Sequence, residues 1–129
     1  MSIQLQIKDY NNSFFSLNNI KSLRISLHNK NEYIKNIHLL GWKSALENSG
    51  NKYVIFKIQG IVDYSPANQL LQQFSFNNNT IELKIIINEK ETISAKCTIE
   101  LYERYYESSN FDNFNTVLVS SEKVIFNNY

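Results

Sequence analysis

The chain has 129 residues, 43% of them hydrophobic, which is enough for one domain with its own core and argues against disorder. A net charge of +1 lacks the basic footprint of a nucleic-acid-binding surface. The single cysteine, Cys97, excludes an intramolecular disulfide and makes no cysteine-based zinc site.

Two further compositional features shape the reading. Asn is over-used, at roughly one residue in seven, while Gly and Pro are scarce. The opening "MSIQLQIKDY" has no basic stretch followed by an apolar one, so it does not read as a secretion signal. No apolar run is long enough to span a bilayer as a helix.

Taken in chain order, the elements are mostly strands with period-two alternation. In "IQLQIK", Ile3, Leu5 and Ile7 face one way, and Gln4, Gln6 and Lys8 the other. In "LRISLH", Leu23, Ile25 and Leu27 alternate with Arg24, Ser26 and His28. A long connection follows, about residues 36–51, with a weak helical turn at Trp42 to Asn48 closed by Gly50. Lys52 to Ile61 reads as the next strand.

"SPANQLLQQFS" breaks the pattern. Ser65 suits an N-cap and Pro66 the first helical position. Ala67, Leu70, Leu71 and Phe74 then fall on one face of a short helix, about residues 65–75, which must pack against a sheet. Strand alternation resumes in "TIELKIIIN", with Ile81, Leu83, Ile85 and Ile87 on one face. In "TISAKCTIELYERYY", Ile93, Ala95, Cys97, Ile99 and Leu101 share a face. Phe114 to Phe126 is read as a last strand. The turns between elements are Asn-rich, as in "DYNNS", "FNNN" and "SSNFDN". The expected fold is mainly β, a single-domain antiparallel sandwich or barrel over residues 1–129 with one flanking helix.

Catalysis finds little support. A nucleophilic enzyme needs a nucleophile, a base and an orienting group. His28 falls on the polar side of a strand, and His38 sits in the long loop beside apolar residues. Cys97 alternates with Ala95 and Ile99, which reads as a small buried hydrophobe. The two His are far apart and no carboxylate cluster accompanies them, so neither a catalytic nor a metal or cofactor site is expected. "YERYY" (Tyr102, Arg104, Tyr105, Tyr106) invites comparison with a stacking platform for sugars or single strands, but no basic groove accompanies it. Tyr is also a good strand former.

The order of the elements resembles the major tail tube proteins of long-tailed phages and of gene transfer agents. The resemblance begins at "LQIKD" and continues in "SLRISLHNKNEYI". "GWKSALENSGNKYVIFKIQGIVDYSPANQLLQQFSF" is similar to the family's G-W-x-x-L-L-x-x-x-G element, followed by a strand ending in Gly and a short helix. Gly41, Trp42, Leu46, Gly50 and Gly60 are the most specific matches, and the two closing hairpins complete the pattern. Asn77 to Asn79 stand where the family usually carries Gly, a substitution that Asn can support because it tolerates left-handed backbone.

The resemblance implies a structural, non-enzymatic subunit without cofactors. Copies would form hexameric rings that stack into a hollow tube conducting DNA without specific binding. It also implies terminator, tape measure and baseplate proteins as partners, with assembly in the bacterial cytoplasm and residence in the tail of a virion or phage-like particle. A tail terminator, a type VI secretion tube subunit and a carbohydrate-binding sandwich are the alternatives. In the long loop, Ile37, Leu39, Leu40, Trp42 and Leu46 are hard to bury within so small a domain. They are the expected subunit contacts, with Trp42 as anchor, against the competing reading in which Trp42 plugs its own sandwich.

Overall fold

The computed structural model describes residues 2–29, 52–106 and 112–128. These form eight strands and one helix: β1 (Ile3–Lys8), β2 (Phe14–Leu17), β3 (Ile20–Asn29), β4 (Lys52–Ile61), α1 (Pro66–Phe76), β5 (Ile81–Ile87), β6 (Glu91–Tyr106), β7 (Asp112–Ser120) and β8 (Ile125–Asn128). All pairings are antiparallel, in the order β2-β1-β5-β6-β7-β4-β3, with β8 beside β6. β2 and β3 end the path without pairing to each other, so the sheet is open and not a closed barrel.

The long strand β6 organises the architecture. Its first part, Glu91 to Cys97, pairs with β5, and Glu91 to Ser94 also pair with β8. From Cys97 to Tyr106 it pairs with β7. One half of the sheet is therefore β2-β1-β5 with the start of β6, and the other is the end of β6 with β7-β4-β3. Leu5, Ile7, Ile81, Leu83 and Ile85 from the first half share one buried cluster with Phe56, Ile58, Phe114 and Leu118 from the second. The two halves thus face each other across a common core, as expected of a sandwich. Each fully buried Phe or Ile contributes roughly 1.5–3 kcal/mol relative to an exposed one.

Helix α1 closes this core with Ala67, Leu71 and Phe74. Asn68 is also fully buried, whereas Leu70 is only partly so. The expected apolar face is therefore turned toward Asn68, whose Nδ2 donates to the Ile61 carbonyl at 3.4 Å. Pro66 opens the helix as expected, and Ser65 occupies the N-cap backbone position. Its side chain does not cap, because the hydroxyl donates to Asp63 instead.

Asn explains the shortage of Gly. Non-Gly residues with positive φ are Asn12, Asn19, Asn78, Asn88 and Glu89 among those described. Asn78 lies just past the helix, where the Asn79 amide reaches back to the Phe74 carbonyl at 3.0 Å. That is the place a left-handed residue ends a helix. Asn88 and Glu89 turn β5 into β6 with positive φ at both positions, the combination a type I′ turn requires. Gly60 is favoured for a different reason: a Cβ there would lie 2.7 Å from the Asn19 carbonyl oxygen and 2.9 Å from the Phe114 ring.

Three expectations are corrected. β2 was not foreseen, since "FFSL" is short and flanked by turn residues. The last expected strand is two, because Ser121 turns the chain by donating its amide and hydroxyl to the Lys96 carbonyl. The face assigned to Leu101 is wrong. The β6–β7 register shifts between Ile99 and Leu101, which moves Leu101 to the outer face with 41% exposure and turns Tyr102 inward.

Candidate subunit interface

The second half of the sheet presents two long edges. At one, β3 pairs with β4 and with no other described strand. At the other, Thr98 to Tyr106 of β6 pair with β7 on one side and with no described strand on the other. Unpaired N–H and C=O groups along such edges are templates for another strand. Four strands lie between and including these edges: β6, β7, β4 and β3.

The register fixes which side chains accompany each edge. Leu23, Ile25 and Leu27 lie opposite Ile58, Phe56 and Val54, so they share the core face. Leu27 is nevertheless 63% exposed. On the outer face, Arg24 lies directly opposite Lys57, with Val117 and Leu101 next in the row. The following row runs Ser22, Gln59, Asn115 and Glu103. Arg24, Lys57 and Glu103 are all exposed. The ion pairs among the described residues are Lys8–Glu82 at 2.9 Å, Lys96–Glu122 at 3.7 Å and Arg104–Asp112, so Arg24, Lys57 and Glu103 take part in none. His28 stacks on Tyr53 across the same pair of strands, with ring centroids 4.9 Å apart.

The Tyr cluster does not form a platform. Tyr102 packs on Phe114 with centroids 6.3 Å apart, and burial pushes its phenol pKa up despite the opposing effect of Gln72. Tyr105 lies opposite Asn113 and Tyr106 opposite Asp112, so alternation sends them to opposite faces. Cys97 is fully buried, and desolvation pushes its thiol up to about 12. No group of three His, Cys, Asp or Glu side chains able to hold a metal occurs among the described residues. No described helix is long and apolar enough to cross a membrane.

One half-buried carboxylate is held in place tightly. Burial alone would raise the Asp63 pKa, but bonds donated by the Ser65 hydroxyl, the Ser65 amide at 2.9 Å and Asn19 Nδ2 at 2.9 Å outweigh it and hold the carboxyl below its ordinary range. Asp63 thereby ties the start of α1 to the turn before β3.

The expected contact residues Ile37, Leu39, Leu40, Trp42 and Leu46 lie outside the described residues, as do His38, Gly41 and Gly50. Sequence reasoning missed Arg24 and Glu103. Arg24 sits at a polar position of an alternating strand, whereas Glu103 has the parity of Ile99 and Leu101, so only the register shift beyond Ile99 and the strand order place the two on one outer face at opposite edges.

Comparison with known proteins gives a consistent answer. The family model described as phage tail tube protein matches residues 3–126. No curated protein sequence matches the chain. Among solved structures, the tail of an empty gene transfer agent particle, refined with C6 symmetry, superposes with TM-score 0.77 at 12% identity, covering 97% of this chain and 95% of that one. The virion of a native gene transfer agent particle gives TM-score 0.73 at 14% identity, covering 96% and 95%. The SPP1 tail tube gives 0.69 at 8% identity, covering 98% and 77%. At such identities the likeness is one of fold.

Proposed function

Since the chain belongs to the phage tail tube protein family, we propose that six copies close into a ring and that rings stack into a hollow tube through which DNA passes. The observation that carries this reading is the family match over nearly the whole chain, residues 3–126. The shared fold with a gene transfer agent tail of C6 symmetry supports the ring number. The role is structural and asks for no catalytic group.

The sheet edges supply a means of closure. Adjacent strands in the half-sheet β6-β7-β4-β3 are antiparallel, so its two edge strands run in opposite directions. A rotated neighbour therefore brings β6 antiparallel to β3, and the sheet continues from copy to copy. Such head-to-tail contacts make a ring when the rotation closes. Pairing would also cover Ile25 and Leu27, which the isolated subunit leaves exposed. A near-neutral chain suits a conduit, because a wall rich in Lys and Arg would hold phosphates by counterion release.

Ile37, Leu39, Leu40, Trp42 and Leu46 reach a neighbouring subunit or the next ring, with Trp42 as anchor. Assembly takes place in the bacterial cytoplasm, and terminator, tape measure and baseplate proteins meet the tube at its ends.

Negative-stain electron microscopy across a concentration series, with light scattering alongside, tests the reading. Rings or hollow tubes are expected. A strict monomer up to the solubility limit would overturn it. Trp42→Ala should abolish assembly while leaving the urea midpoint of the monomer unchanged. Intact assembly with a sharply lowered midpoint would place Trp42 in its own core.

A further inference from the structure

We infer that the junction between neighbouring copies is keyed by charge, with Arg24 on β3 of one copy pairing with Glu103 on β6 of the next. The inference rests on the ring reading above.

The isolated subunit carries an unresolved charge conflict. Arg24 and Lys57 stand directly opposite each other on β3 and β4, both exposed. Like charges in directly opposed cross-strand positions repel. No described acidic group forms an ion pair with either. The complementary charge sits on the same outer face but at the far edge, where Glu103 is exposed and also outside every ion pair among the described residues. Within one copy, β4 and β7 separate them, and three strand spacings amount to about 14 Å. The pair cannot form inside a subunit.

Across an antiparallel β3–β6 junction it can. Arg24 and Glu103 then lie on adjoining strands of one continuous face. Arg24 meets Glu103 directly when the two are opposed. It also reaches Glu103 diagonally, over about 7–8 Å, when Leu101 or Tyr105 is opposed instead. The clasp therefore tolerates three registers.

The same charges choose the mode of association. Two β3 edges brought together by a two-fold would set one Arg24–Lys57 pair against another. Two β6 edges would set Glu103 against Glu103. Only the head-to-tail contact joins unlike charges, so dimers that would cap the edges are disfavoured and ring closure is favoured.

Charge reversal tests this. Arg24→Glu (R24E) and Glu103→Arg (E103R), each alone, should raise the concentration at which rings appear by roughly tenfold or more. Far-UV circular dichroism should remain native. The R24E monomer should have a slightly higher urea midpoint, because the change removes the repulsion with Lys57. That rise, coupled to lost assembly, separates a junction role from misfolding. Mixing the two variants should restore rings, with the two chains strictly alternating. In that mixture, every junction between unlike variants is again attractive. Raised salt should weaken wild-type rings, since the pair is exposed. R24E rings at the wild-type concentration, or no restoration on mixing two natively folded variants, would overturn the clasp while leaving the ring reading intact. Wild-type protein that never assembles would overturn the ring reading, and the clasp with it.

Discussion

Adding one methyl group at Gly60 should destabilise the monomer by about 1–3 kcal/mol net. Three effects decide the figure. The Cβ of Gly60→Ala would sit 2.7 Å from the Asn19 carbonyl oxygen and 2.9 and 3.0 Å from two atoms of the Phe114 ring. Contacts this short force a shift, and overpacking of a dense core costs about 1–3 kcal/mol. Neither neighbour yields easily. Phe114 is fully buried, and the Asn19 carbonyl accepts the Ile61 amide at 3.0 Å while Asn19 Nδ2 holds Asp63 at 2.9 Å. Moving that carbonyl weakens a hydrogen bond worth roughly 1 kcal/mol. Against this, Ala loses less backbone entropy than Gly in a strand, which returns about 0.5–1 kcal/mol. Urea unfolding followed by circular dichroism measures the balance. It should be run where the chain is monomeric, so that assembly does not add to stability. A double-mutant cycle with Phe114→Leu isolates the cause. Shortening the ring should cost less in the Gly60→Ala background than in the native one, with a coupling of about 0.5–3 kcal/mol. A loss below about 0.5 kcal/mol, or strict additivity, would refute the steric argument.

Two further outcomes follow from the turns. Glu89→Gly should stabilise the protein by about 0.5–1 kcal/mol, read as a higher urea midpoint, because Glu89 holds φ 58° where Gly is unstrained. The Asp63 pKa is depressed in the folded chain, so its contribution is fully present above the ordinary carboxylate value of about 3.9 and is lost as pH falls through the depressed value. Stability measured from pH 7 to pH 2 should show that Asp63→Asn costs most at neutral pH and progressively less in acid. A deficit independent of pH would contradict the assigned bonds.

Much of the fold was legible because strand alternation and helix periodicity are local. Ile3, Leu5 and Ile7, the run from Ile81 to Ile87, and the Ser65–Pro66 helix start all needed only neighbours in sequence. Asn-rich turns were legible too, since Asn is the side chain that best tolerates left-handed backbone after Gly. The errors fell where a distant partner overrode a local pattern. The bulge beyond Ile99 reversed the face of Leu101, because β7 sets the register of that part of β6. Asn68 displaced Leu70 from the buried side of the helix, where Asn68 donates to the Ile61 carbonyl.

The class of fold and the family resemblance were already legible in the order of residues, since both depend on residue type and spacing along the chain. Only the tertiary structure decided which edges stay open and which charges share a face. Arg24 and Glu103 are ordinary exposed strand residues until pairing order sets them on one surface, at its opposite rims with two strands between them. Cross-strand distance depends on topology and register, and neither is carried by local periodicity.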